Sequence, residues 1–226
     1  MKKIFYALLV LSSTISTAQS IELGAYAGYK SSNIVDRQTN DSKAVIGKNY
    51  WNPNYGFQVV FNFKPNINYV NYRLIAFYDK STAGSKSPVS NDRFEMKNNT
   101  YGLTFGMTSQ INDNWSGGIG LGFAYGVLDT KNYYRGHLEQ YQSFPKTLYD
   151  VIPKANYLDF IVFLDVERNI IPNELNFVMT LSINASANKI NQNQGSYGIQ
   201  GGGVSAGLRY NIELSKYSKN EPVIYE

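Results

Sequence analysis

Between Trp115 and Val127 the chain alternates bulk with bareness. Trp115, Ile119, Leu121, Phe123, Tyr125 and Val127 are separated by Ser116, Gly118, Gly120, Gly122, Ala124 and Gly126. A repeat of two places alternate side chains on opposite faces of a strand. The glycines fail as a phosphate cradle: G-x-G-x-x-G would need a third glycine at position 123 or 125, where Phe123 and Tyr125 stand, and no helical pattern follows. Seven other segments alternate in the same way. Their bulky faces run Ile21–Tyr29, Tyr55–Phe63, Val70–Tyr78, Tyr101–Ile111, Leu158–Val166, Leu175–Ile183 and Val204–Ile212. Each spans about nine to eleven residues, the length at which a tilted strand crosses a bilayer. Tyr197 and Ile199 precede Gly201-Gly202-Gly203, after which the bulky parity passes to Val204; this predicts a one-residue bulge at the glycines.

The connections alternate too. Short turns are predicted at Lys64–Ile67, Asn112–Asn114 and Asn169–Asn173, and long loops at 30–54, 80–99, 129–156 and 187–196. An even number of antiparallel strands with short turns on one side and long loops on the other is the pattern of bacterial outer-membrane barrels. The predicted fold is all-β: an eight-stranded antiparallel up-and-down transmembrane barrel with both termini periplasmic.

Composition sharpens this. Aromatic residues make up 15% of the chain, Tyr and Gly number 19 each, and charged residues only 17%, below the roughly 25% of soluble domains. Lys2 and Lys3, the apolar run Ile4–Leu11 and the small residues Ser16-Thr17-Ala18 read as a cleaved secretory signal. The expected organisation is a signal at 1–18, a barrel at 19–214 and a short periplasmic tail at 215–226. Without Lys2 and Lys3 the 21 basic residues fall to 19 against 17 acidic, a net of about +2 that leaves no footprint for nucleic acid. There is no cysteine and a single histidine, His137, so neither a metal site nor any other cofactor is expected.

The signal, the eight segments and the alternating connections resemble the small outer-membrane β-barrels, OmpA/OmpX-like in architecture. The opening IELGAYAGYKSSN is similar to the first strand of the PorT-like barrels of Bacteroidetes. One departure is that twelve residues, SKYSKNEPVIYE, follow Leu214. Any assembly signal therefore lies around Leu208-Tyr210-Ile212 or in that tail. The resemblance implies outer-membrane lipid and lipopolysaccharide as surroundings, and other envelope or secretion proteins as candidate partners.

Within such a barrel, parity assigns each face. Tyr29, Tyr55, Tyr78, Tyr101 and Tyr125 fall at the loop end and Phe63, Tyr72, Trp115 and Tyr210 at the turn end, two lipid-facing aromatic girdles. The lumen of eight strands has room only for packed side chains. Gly102, Thr104, Gly106, Gly118, Gly120, Gly122 and Ala124 form a thin wall, facing Val60, Ile75, Phe77, Ile161 and Phe163. Lumenal charges need partners. Glu22 is expected to meet Arg209, with Glu213 as a further candidate, and Arg73 and Lys64 to meet Asp165 and Glu167, as structural charges first.

No catalytic constellation is assigned. Known small barrels that act on lipid A use His, Ser and a carboxylate, a likeness that would implicate His137, Ser143 and Glu139 or Asp129. A lone loop histidine reads first as surface decoration. The loops around Asn49–Pro53 and Tyr133–Tyr149 are rich in Tyr, Trp, Asn and Ser, suited to contact surfaces or to solvated caps. The reading is a non-enzymatic surface barrel serving envelope structure, surface binding or a secretion complex. The alternatives are a lipid A-modifying enzyme and a narrow channel.

Overall fold

A computed structural model describes residues 18–36, 51–63, 70–86, 93–134, 137–138, 154–187 and 197–214. Among the described residues nine strands run in chain order: β1 Ser20–Asp36, β2 Asn52–Phe63, β3 Val70–Lys86, β4 Arg93–Asn112, β5 Trp115–Tyr134, β6 His137–Leu138, β7 Lys154–Ile171, β8 Leu175–Ser186 and β9 Tyr197–Glu213. Every pairing is antiparallel, and the eight long strands each pair with the next long strand in the chain. β9 then returns to β1, from Ser20 opposite Glu213 to Asp36 opposite Tyr197, and closes the cylinder. The two-residue β6 merely flanks the tip of β5, with His137 opposite Tyr134. Closure gives each of the eight long strands a partner on both sides, which is what a backbone in hydrocarbon requires. The seam continues past the strand ends, with Gln19 N donating to Asn62 O at 2.9 Å and Leu214 N to Gln19 O at 2.9 Å. Both ends of the barrel chain thus lie at its turn end.

Side chains divide by parity. Outside, Leu23, Phe57, Leu103, Phe105, Met107, Leu121, Phe123, Leu164, Leu181 and Leu208 stand exposed. So continuous an apolar surface has no place in water, and it makes the cylinder a membrane-spanning one. Among outward-facing residues Phe61 is buried, set in register between Ile21 and Leu74. Aromatic neighbours reinforce the loop-end girdle, where the Tyr78 and Tyr101 rings lie 5.2 Å apart. At the turn end the Arg168 guanidinium sits 5.5 Å over Trp115.

The turn at Asn112–Asn114 forms as the sequence predicts. Asn112 Oδ1 accepts from the backbone N–H groups of Asn114 and Trp115, both at 3.0 Å, the local bonding that favours Asn in turns. Asn173 takes up the left-handed conformation of the β7–β8 turn, φ 63°, which Asn tolerates better than other non-glycine residues. Register slips by one residue just before each turn, at Ile111 and Ile170.

Two expectations are corrected. No bulge forms at Gly201–Gly203: β9 pairs without interruption with β1 and with β8 through all three. Parity never switches, so Ile199 points into the lumen, fully buried. Ile199, bulky like the lipid-facing set, belongs to the inner face. The strands also reach past the predicted loop boundaries, to Asp36, Lys86, Arg93 and Tyr134. Beyond the tyrosine level the outer face leaves the hydrocarbon and turns polar while the inner face stays packed, as at Ser81, Asn98 and Leu128, so the polarity alternation fades while backbone pairing continues.

The glycine wall is explained by what rests on it. A Cβ at Gly120 would overlap the Phe163 ring, one at Gly102 the Phe77 ring and one at Gly126 the Tyr157 ring. Large residues from β3 and β7 lie flat across the bore on these bare positions. Gly120→Val is therefore expected to destabilise the barrel by about 1–3 kcal/mol through overpacking. Gly117→Ala, on the outer face with only the flexible tip of Ile111 at 3.3 Å, should leave the urea midpoint in detergent micelles unchanged.

Candidate functional site

The lumen contains two polar clusters. The first lies toward the turn end and links five charges in alternating sign: Glu22, Arg73, Glu167, Arg209 and Asp165. Arg73 grips Glu167 with two nitrogens; its Nη1 donates to Oε1 and its Nη2 to Oε2 at 2.9 Å. Such a two-pronged pair is the strongest geometry available to these groups. Arg73 Nε donates to Asn62 Oδ1 at 2.9 Å, and Nη2 lies 3.7 Å from Glu22 Oε1. Arg209 enters from the far side, donating to Glu167 Oε1 at 2.6 Å, Asp165 Oδ2 at 3.1 Å and Gln58 Oε1 at 3.2 Å. Thr180 Oγ1 donates to the other Asp165 oxygen at 2.5 Å.

The partners differ from those the sequence suggests. Glu22 meets Arg73 and Asn62, the latter donating to it at 2.8 Å. Arg209 stands opposite Gly24 in the β1–β9 register, while Glu22 stands opposite Asn211. A Cβ at Gly24 would lie 2.9 Å from Arg209 Cγ; the bare position lets the arginine leave the seam and extend across the bore to β7. Glu167 and Asp165 do take up Arg73 and Arg209 between them. Glu213 has contacts of its own and is not free. Lys64 lies outside the described residues.

The second cluster, toward the loop end, is one that sequence reasoning passed over. Asp79 receives Asn54 Nδ2 at 2.8 Å and Lys30 Nζ at 3.4 Å, with the Tyr26 hydroxyl at 3.4 Å. Lys30 continues the inward parity of β1 one step past Gly28 and is buried. Its place at the start of a predicted long loop concealed that signal. Higher still, Asn98 Nδ2 donates to the Tyr157 hydroxyl and Asn184 Nδ2 to Asp159 Oδ2 at 2.5 Å. Between the two polar clusters sit Val60, Ile75 and Phe163, packed together. A cavity of about 90 Å³ remains beside them, lined by Tyr26, Asp79, Phe77, Asn184 and Arg209 among others. It is large enough for a few water molecules.

Among the described residues no group of three or more His, Cys, Asp or Glu is placed to hold a metal ion. His137 lies at the tip of β5, where the backbone pairs it with Tyr134. Asp129 stands opposite Lys97 and Lys154 in register. Ser143 and Glu139 are outside the described residues.

This closed bore, polar within and apolar without, has counterparts among solved structures. Neisserial surface protein A is similar with a TM-score of 0.54 at 11% identity, covering 84% of this chain and 96% of that one. The fold is that of a small outer-membrane β-barrel. Ail, the attachment invasion locus protein of Yersinia pestis, is similar at 17% identity and a TM-score of 0.45, covering 84% and 98%. The outer-membrane enzyme PagL follows at 10% identity and 0.40, covering 85% and 99%. No protein-family model and no curated protein sequence matches the chain. Likeness at this distance is one of architecture, and function has to be argued from the site.

Glu167 is the shared acceptor of both arginines. Glu167→Ala leaves two buried guanidinium groups short of a partner and is expected to cost about 3–5 kcal/mol. Glu22→Ala removes the 3.7 Å contact to Arg73, already held by Glu167, and the bond from Asn62, whose Nδ2 keeps Ser20 Oγ at 3.1 Å; it should cost less, about 1–2 kcal/mol. Urea denaturation in detergent micelles, followed by the mobility difference between folded and heated protein, measures both.

Proposed function

We propose that this chain is a non-enzymatic barrel of the bacterial outer membrane, with a packed lumen below and its long connections presented outside the cell. In that position it serves envelope structure or surface binding, alone or as a subunit of an outer-membrane or secretion complex. The observation that carries this reading is the crossing of the bore. The linked Arg73, Glu167, Arg209 and Asp165 are all nearly inaccessible to solvent, and Phe77 and Phe163 lie above them on the glycine wall. A lumen held by paired charges and seated rings does the work of a core rather than of a channel.

The topology follows from the same reading. Short turns and both barrel ends face the periplasm, the signal at 1–18 is removed after export, and residues 215–226 form a periplasmic tail. The resemblance of the first strand to PorT-like barrels supports a link with secretion machinery, and a pull-down in mild detergent from outer membranes tests whether the protein travels with such components.

In intact cells, added protease is expected to nick the chain only within 37–50, 87–92 and 139–153, leaving the turn at 64–69 untouched. Cleavage at that turn would invert the topology. The enzymatic alternative turns on the one histidine. His137→Ala should leave the lipid A mass spectrum unchanged; a modification lost with His137 would make the chain a lipid A-modifying enzyme.

A further inference from the structure

The outer surface of the barrel is not uniform around its circumference. A groove of about 560 Å³ crosses β2 to β5 just below the tyrosine level, reaching Leu158 of β7. Its floor is Ala76, the smallest lipid-facing residue of β3, and Phe57, Tyr78, Tyr101, Leu103 and Phe123 form its walls. In a bilayer a dent of this shape takes an acyl chain.

What stands above the groove is specific to this side. One pleat above Tyr78 on β3 is Lys80, its Nζ 5.8 Å from the Tyr55 ring centroid. Two pleats above Tyr101 on β4 is Lys97, exposed. Both share the outward parity of the girdle tyrosines and rise to headgroup level. Asp129 of β5 stands opposite Lys97 and Lys154, and one pleat higher Glu95 of β4 stands opposite Lys131 of β5; with Lys80, Lys97, Lys131 and Lys154 against Asp129 and Glu95, the balance stays positive. At matching outward positions Ser31 of β1, Ala185 of β8 and Gln200 and Gly202 of β9 carry no charge. Apolar groove and cations coincide on one face.

The geometry points to a binding site for a phosphorylated lipid A on the β2–β5 face. Its acyl chain lies over Ala76, its sugar region against Tyr78 and Tyr101, and its phosphate between Lys80 and Lys97. A basic residue at the membrane surface contributes about fivefold to the binding of an anionic lipid, and a groove shaped for one chain fixes where that lipid rests. The choice of probe below rests on the loops facing outward, which the protease experiment tests separately.

The test is native mass spectrometry of the full mature protein, released from neutral detergent after addition of bis-phosphorylated lipid A. Wild type is expected to retain one lipid. K80E/K97E, which reverses the charge, and A76W, which fills the groove, should each lower the retained fraction at least fivefold while keeping the heat-modifiable mobility of the folded barrel. R168A, removing a cation at the turn end, should match wild type. Lipid A stripped of its phosphates should be retained no better than by the charge-reversed protein. Wild-type retention by either groove or lysine variant, or equal retention of the stripped lipid, overturns the site.

Discussion

Closing eight strands into a cylinder removes every free edge from the hydrocarbon, and it leaves a bore into which only packed side chains fit. Nearly everything else in this protein answers that constraint. The interior must be filled without overlap, so rings from β3 and β7 rest where β4 and β5 have glycine. Whatever charge enters must be matched within a few ångströms, because bulk solvent is not there to do it. The five-membered relay from Glu22 to Asp165 is a linear solution: each arginine touches two carboxylates, and the central Glu167 touches both arginines. Such a chain ties β1, β3, β7 and β9 together across the middle, where backbone hydrogen bonds along the wall do not reach.

The exterior obeys a different solvent, and this is why so much of the architecture was legible in the sequence. Two environments separated by one strand's thickness impose an alternation that survives in the residue types. Leu121 and Gly122 differ because one meets acyl tails and the other meets Thr104. The same logic locates where legibility stops. Beyond the tyrosine level, as from Lys80 onward, the outward positions no longer meet hydrocarbon and turn polar like their inward neighbours, so the alternation loses its cause and strand reads as loop. At Gly201–Gly203 a change of apparent parity suggested a bulge, whereas Ile199 simply belongs inside.

The lumenal charges could be chosen from the sequence but not matched. Parity identifies Glu22, Arg73, Asp165, Glu167 and Arg209 as inward-facing; it does not give the stagger between strands, and stagger decides which groups meet. Arg209 faces Gly24 rather than Glu22, an offset of two residues that redirects it to the opposite wall. The upper group around Asp79 was missed because it draws Lys30 and Asn54 from positions at the edges of a long predicted loop. Each error came from a relation between strands, which a single strand's pattern does not contain.

The pairing that carries β4 upward has one further meaning. From Tyr101 to Arg93 the strand continues without a break, and at about 3.4 Å per residue with a tilt near 40° this amounts to roughly 20 Å of height. β1, β3, β5 and β9 also rise past the tyrosine level, whereas β2 begins at Asn52 and β8 ends at Ser186, closer to it. Among the described residues the strands thus end at unequal heights, with β1, β3, β4, β5 and β9 as the tall walls. Whatever meets those tips does so well clear of the bilayer.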